Sequence, residues 1–256
     1  MRATNDVPVL VLGDLDDTLF QTRGKCPDGC ELFPVAYSRA GEALSFATPG
    51  QRRLFEWLTA AAAFVPVTGR NADAVARVRL SFAGYAITSF GGVILTPDGS
   101  CDAGWRERAE AHAASHSSVL SDLRDAALAR AALEGAMLRA TAVSDQGLPL
   151  YLSLKHAAGD AAALASFVAG FAEELPGGWR VHLNGNNAAW LPPWLAKEHA
   201  VRHFLRHLAP PHAVTIGFGD SHSDAPFLAL CDYALVPART QLGRHLHAVQ
   251  AYAHAR

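Results

Sequence analysis

The run Val7-Pro8-Val9-Leu10-Val11-Leu12-Gly13-Asp14-Leu15-Asp16-Asp17-Thr18 decides the fold. Val7 to Leu12 is apolar without alternation, the pattern of a strand buried on both faces of a parallel sheet. It breaks off into three carboxylates within four residues, Asp14, Asp16 and Asp17. Carboxylates packed that closely repel one another, so the cluster is costly unless a divalent cation, or a phosphoryl group with its metal, offsets the charge.

Outward from this strand the chain alternates. Thr48-Pro49 opens a helix through Leu54, Phe55 and Leu58, since Thr caps and Pro suits the first helical position. Phe64 to Val67 reads as a second buried strand ending at Thr68-Gly69-Arg70, Asn71 caps the next helix, and Tyr85 to Thr88 reads as a third strand. From residue 92 to 191 the rhythm changes. A hairpin edge (Val93-Ile94-Leu95) leads to an Ala-rich helix from about Trp105 to Leu138. Strands follow at Arg139–Ser144 and Leu150–Lys155, then a helix from Asp160 to Leu175, then strands at Trp179–Asn184 and Ala188–Leu191. That order predicts a separate open antiparallel sandwich. After Pro192-Pro193 the first pattern resumes, with a helix, the strand Val214–Phe218, a helix, the strand Tyr233–Val236 and a final helix. The expectation is an α/β fold: a Rossmann-like parallel-sheet core (1–91 and 192–256) interrupted by an inserted α+β cap domain (92–191).

Composition narrows the function classes. In 256 residues, 50% are hydrophobic and 18% charged, which excludes disordered and fibrous classes. Lys+Arg number 22 against 24 Asp+Glu, leaving no basic excess for a nucleic-acid backbone. The longest apolar run, Ala161 to Ala172, is short of the roughly 20 residues that span a membrane, so no membrane partner is expected. The four cysteines, with Cys26 and Cys30 spaced C-x3-C, are too few for a disulfide framework; free thiols and a reducing cytoplasm are expected.

A second acidic cluster strengthens the first. Val214–Phe218 runs into Gly219-Asp220-Ser221-His222-Ser223-Asp224. In an open α/β sheet, residues just past the carboxyl ends of strands share one crevice. The two clusters are therefore expected to face each other as a hard oxygen-ligand site suited to Mg2+. Thr68, also directly after a strand, offers a hydroxyl and, with Gly69, backbone N–H groups to a phosphoryl oxygen. Lys197 falls on the Val201/Phe204/Leu205/Leu208 stripe at the start of its helix. A lysine seldom points at a core without a partner, and an anion-filled crevice supplies one.

DLDDT (Asp14–Thr18), Thr68, Lys197 and GDSHSD (Gly219–Asp224), in that order, resemble the motifs of the haloacid dehalogenase superfamily. More narrowly, the chain is similar to its Mg2+-dependent phosphatases with an α/β cap between the second and third motifs, of the sucrose-phosphatase and Cof types. The resemblance implies that Asp14 is the nucleophile forming an aspartyl-phosphate and that Asp16 is the general acid and base. It further implies that Thr68 and Lys197 hold phosphoryl oxygens. Mg2+ would be held by Asp14, the Asp16 carbonyl and Asp220, with Asp224 a direct, water-mediated or orienting contact. Three departures stand out. Asp17 and Ser223 occupy positions where many relatives have Gly and Asn, and Ser89-Phe90-Gly91 replaces a common Asn-Gly. The segment from Phe20 to Phe46 is long for the flap that follows the first motif.

Other residues are ambiguous in sequence. His199, His203 and His207 recur every four positions opposite the apolar stripe and read as a solvated basic face, not a zinc site. His182, Asn184, Asn186 and Asn187 suit sugar hydroxyls, but Asn also favours turns; Arg70 is a further candidate substrate contact. The expected activity is a phosphomonoester hydrolase acting on a small phosphorylated metabolite, a sugar phosphate being the favoured class. The alternatives are a phosphosugar mutase using the same residues and a non-catalytic phosphate-binding or signalling protein. Oligomeric state is not legible.

Overall fold

The computed structural model describes residues 7–246. In chain order the elements are β1 (Val9–Gly13), β2 (Gln21–Thr22), β3 (Phe33–Tyr37), β4 (Ala43–Ala47), α1 (Pro49–Thr59), β5 (Ala63–Pro66), α2 (Ala72–Val75), β6 (Ala86–Thr88) and β7 (Val93–Leu95). There follow α3 (Ala103–Glu134), β8 (Leu138–Asp145), β9 (Leu148–His156), α4 (Ala161–Gly170), β10 (Arg180–Leu183) and β11 (Ala188–Leu191). Last come α5 (Lys197–His207), β12 (Val214–Phe218), α6 (Ala225–Leu228) and β13 (Tyr233–Leu235), with residues 241–246 again helical.

Two compact units divide the chain. One is Ala103–Ala196; the other combines the residues before and after it. This second unit is built on a four-stranded sheet in the order β13-β12-β1-β5, with every pairing parallel. Its inner strand β1 is covered on both faces: Val11 and Leu12 are fully buried, which is why the strand reads as an unbroken apolar run. Around Val11 pack Leu15, Phe20, Phe55, Phe64 and Phe218, with Phe55 edge-on to Phe64 at 5.3 Å between ring centroids. Each such side chain contributes about 1.5–3 kcal/mol through burial. The helices start as their caps dictate. Thr48 and Gln51 form a reciprocal capping box on α1, and the Asn71 side chain accepts from Ala74 N on α2.

Three expectations for this unit need correction. The third strand, β6, does not extend the parallel sheet as a full ladder. It pairs antiparallel with β7 and is tied to the β5 side by a single parallel bridge, Val67 to Ile87. The hairpin it forms also keeps residues 92–102 with this unit instead of with the insert. His203 does not lie on a solvated face. His199 and His207 are exposed, but His203 is buried because Asp102, leaving the β7 hairpin, reaches the helix and sits 2.8 Å from its Nε2.

The Phe20–Phe46 segment is a small antiparallel sheet in the order β2-β4-β3. Within it Cys26 and Cys30 are free thiols, and the Gln21 side-chain amide donates to Cys26 Sγ.

The Ala103–Ala196 unit is an antiparallel sheet in the order β10-β11-β9-β8. Apolar residues of β9 and β11 (Leu152, Leu154, Trp190) pack with Leu120 and Leu123 of α3 and with Leu164 and Phe167 of α4. The long helix stops at Glu134 because Gly135 turns left-handed (φ +67°), four residues short of the expected end. The unit extends to Ala196, past the expected boundary at 191: Arg180 Nη2 donates to Leu195 O at 2.7 Å. Among the described residues no helix is long and apolar enough to cross a membrane.

Candidate active site

Three strand ends converge. β1 lies between β12 and β5, so the residues following each are neighbours: Asp14 N donates to Phe218 O and Val67 N to Gly13 O. Asp14, Thr68 and Asp220 therefore meet at one edge, as the crevice rule for parallel sheets requires. Lys197, at the first turn of α5, is buried among them. Its Nζ donates at 2.7 Å to Asp14 Oδ1 and at 2.7 Å to Asp224 Oδ1.

Asp14, Asp220 and Asp224 each present a carboxylate oxygen, and these oxygens all lie within 4.8 Å of one another. The Thr18 hydroxyl is placed between two of the acids, 3.2 Å from Asp14 Oδ2 and 3.2 Å from Asp220 Oδ1. Asp224 also organises its own loop. Its Oδ2 accepts from the backbone N–H of Asp220 and Ser221 and from the Ser221 hydroxyl. Ser223, one of the departures noted in the sequence, hydrogen-bonds the Ser221 hydroxyl.

The electrostatics follow from burial and charge. Burial, then the Asp224 and Asp17 carboxylates, push Asp220 up to about 7. Asp14 is raised well above the usual carboxylate range by burial and by Asp224 and Asp220, against the pull of Lys197. Burial raises Asp224 too, but the Lys197 charge and the hydrogen bonds from Lys197 and Ser221 outweigh it, so its carboxyl is held low. Lys197 is firmly cationic despite burial, since two carboxylates face it. One ammonium against three buried or half-buried carboxylates leaves the charge of a divalent ion to be supplied. The oxygen-only donor set fits Mg2+.

Asp16 is not part of that cluster. Its carboxylate is gripped by Arg70, whose Nε donates to Oδ2 and Nη2 to Oδ1, each at 2.7 Å. Arg70 stacks its guanidinium over Phe20, 5.1 Å from the ring centre. Asp17 adopts a left-handed backbone (φ +64°), the conformation glycine favours, and pairs with Lys25 at 2.5 Å. Thr68 is buried; its Oγ1 accepts from Arg70 N at 3.1 Å, and its own N–H donates to Ile87 O. Gly69 is half-buried between them.

The remaining candidates lie in the Ala103–Ala196 unit, on and beside the β10–β11 hairpin. Asn184 and Asn187 exchange backbone hydrogen bonds around a turn in which Gly185 is left-handed (φ +55°). The Asn186 amide is already engaged, accepting from His156 N and donating to His156 O, both at 2.9 Å. Asn187 Oδ1 accepts from the Ser153 hydroxyl. His182 pairs across the hairpin with Ala189. For Asn186 the turn reading accounts for the side chain.

The contacts that two residues make at this site, Thr18 and Arg70, do not follow from the sequence reading. Thr18 carried a signal, the terminal Thr of the first motif. Arg70 was read as a substrate contact, and its grip on Asp16 joins residues 54 apart, which no local pattern announces.

No protein-family profile and no curated protein matches the chain. Solved structures do resemble it. The sucrose-phosphatase of Synechocystis, solved with sucrose and phosphate, is 16% identical, with 96% of this chain and 98% of that one covered and a TM-score of 0.52. A trehalose-6-phosphate phosphatase related protein is 18% identical over 91% of this chain and 88% of its own, TM-score 0.51. A haloacid dehalogenase-like hydrolase of B. subtilis is 12% identical, covering 89% and 94%, TM-score 0.50. The chain therefore has the fold of the haloacid dehalogenase-like hydrolases.

Proposed function

We propose that this protein is a Mg2+-dependent phosphomonoester hydrolase of the haloacid dehalogenase superfamily, acting on a small phosphorylated metabolite of the sugar-phosphate class. The observation that carries the reading is the Lys197 ammonium held between Asp14 and Asp224, with Asp220 alongside. That is a charge arrangement for gripping a phosphoryl group beside a metal, not for stabilising a fold. The sugar-phosphate class is supported by the likeness to the sucrose-phosphatase and the trehalose-6-phosphate phosphatase related protein.

In this reading an Asp14 carboxylate oxygen attacks phosphorus. The P–O bond to the leaving group breaks, and Asp16, which must enter this step protonated while Arg70 orients it, gives that proton to the departing alkoxide. Asp16 then takes a proton from a water that attacks the phosphoryl-aspartate. Inorganic phosphate leaves and Asp14 is restored. Thr68 is suited to the phosphoryl oxygens because its Oγ1 accepts from Arg70 N, which leaves the hydroxyl proton to point outward. Bound Mg2+, held by Asp14 and Asp220 with Asp224 beside them, would neutralise charge developing on those oxygens. The Ala103–Ala196 unit is read as the substrate-recognition domain, and the cytoplasm as the compartment.

The test is phosphate release from a panel of phosphorylated sugars with and without Mg2+. Activity that requires Mg2+ and disappears in Asp14→Asn supports the reading; full activity in Asp14→Asn ends it. Recovery of an isomer with the phosphate moved would identify a mutase instead.

A further inference from the structure

A second feature beside Thr68 has no role in the chemistry so far. Ser89, Phe90 and Gly91 take left-handed backbone conformations in succession, with φ of +51°, +58° and +92°. Gly91 adopts this without cost, but Ser89 and Phe90 do not, and both are buried. Two consecutive strained residues persist only where their surroundings hold them, and such strain gathers at functional sites.

The turn is fastened to the loop after β5. Ser89 N donates to Arg70 O at 2.7 Å and Phe90 N to Thr68 O at 3.0 Å. The loop's own amides are spent at either end, Thr68 N on Ile87 O and Arg70 N on Thr68 Oγ1. Gly69 lies between, with the Phe90 ring against it. A β-carbon on Gly69 would fall 2.6 Å from Phe90 Cζ and 2.8 Å from Cε1, closer than any real contact. The Gly69 φ is not left-handed, so it is the aromatic ring, not backbone freedom, that requires glycine here.

We propose that Phe90 is a positioning residue: its strained turn and ring clamp Gly69 so that the Gly69 N–H and the Thr68 hydroxyl converge on one phosphoryl oxygen site. This rests on the phosphatase reading above. Ser89-Phe90-Gly91 is then a strut that sets the anion cradle from behind, and Phe90 touches no substrate itself. The clamp is mutual, so the two residues are energetically coupled.

The experiment measures inorganic phosphate binding, by calorimetry in Mg2+, together with KM and kcat on the best substrate. It compares wild type, Gly69→Ala, Phe90→Leu and the double variant Gly69→Ala/Phe90→Leu. Gly69→Ala is expected to weaken phosphate binding about tenfold or more and to raise KM more than it lowers kcat. In the double variant the smaller side chain admits the β-carbon, and affinity is expected to return to within about threefold of Phe90→Leu alone. Strictly additive losses, or a Gly69→Ala protein that binds phosphate as wild type does, would overturn the proposal. Thermal melts of all four proteins identify any loss of fold, and Phe90→Leu, which keeps an apolar side chain, preserves the comparison on its own by its KM-against-kcat split. A wild-type protein that neither binds phosphate nor hydrolyses its esters would instead end the phosphatase reading.

Discussion

Arg70 holds Asp16 through two parallel hydrogen bonds of 2.7 Å, so the carboxyl assigned to proton transfer is fixed in direction by a residue 54 positions away. The fork geometry matters because an ammonium cannot reproduce it.

Arg70→Lys is therefore expected to lower kcat about ten- to a hundredfold with a smaller change in KM, the size of effect that misplacing a catalytic group produces. The loss should be greater for an alkyl phosphate than for p-nitrophenyl phosphate, whose leaving group needs no proton. Equal losses on both would show that Arg70 does not act through Asp16.

Lys197 is enclosed by Asp14 and Asp224, and removing it leaves two buried carboxylates facing each other. Lys197→Met is expected to destabilise the metal-free protein by about 3–5 kcal/mol, the cost of breaking a buried pair by deleting one partner. Urea denaturation measures it. Mg2+ should recover part of the loss, while activity stays absent; a variant as stable as wild type without metal would contradict the buried-pair account.

The pH dependence of stability has a definite sign. Asp220 sits at about 7 in the fold, above its ordinary value of 3.8, so the folded state binds that proton more tightly than the unfolded chain. Its contribution is intact below about pH 4 and is lost as pH rises toward 7, and the upward shift of Asp14 acts in the same sense. Asp224, held low, contributes the other way, its share vanishing only as pH falls below the usual carboxylate range. The metal-free protein should thus melt at lower temperature at pH 8 than at pH 5 relative to Asp220→Asn, and Mg2+ should stabilise wild type more at pH 8. Identical pH profiles for wild type and Asp220→Asn would refute it.

What was readable in sequence is what local rules govern. Asp14, Thr68 and Asp220 each follow a buried apolar strand, and Lys197 begins an amphipathic helix, so their convergence follows from sheet topology alone. Thr48 and Asn71 cap as their residue types predict. What was not readable depends on which distant side chain arrives at a given spot. His203 has the helical spacing of a solvated residue until Asp102 covers it. β6 has the composition of a core strand, yet β7 turns it into a hairpin. Asn186 looks like a sugar contact until its amide is seen bridging the His156 backbone.

The loop carrying Asp220 and Asp224 offers the sharpest test of whether the acids form one metal site. Gly219 joins β12 to that loop, and a β-carbon there would lie 2.6 Å from Asp224 Cβ and 2.9 Å from its carboxyl carbon. Gly219→Ala must therefore push Asp224 away, and with it the Oδ2 that gathers the Asp220 and Ser221 amides. Asp14, the proposed nucleophile, follows another strand, β1, and keeps its bond to Lys197. If Asp220 and Asp224 jointly shape the metal site, calorimetry should show Mg2+ binding weakened about ten- to a hundredfold, as when an orienting partner of a ligand is lost. Activity should then be recoverable at high Mg2+. If Asp224 serves only to pair Lys197, Mg2+ affinity stays unchanged while stability falls, and no excess of metal restores the rate.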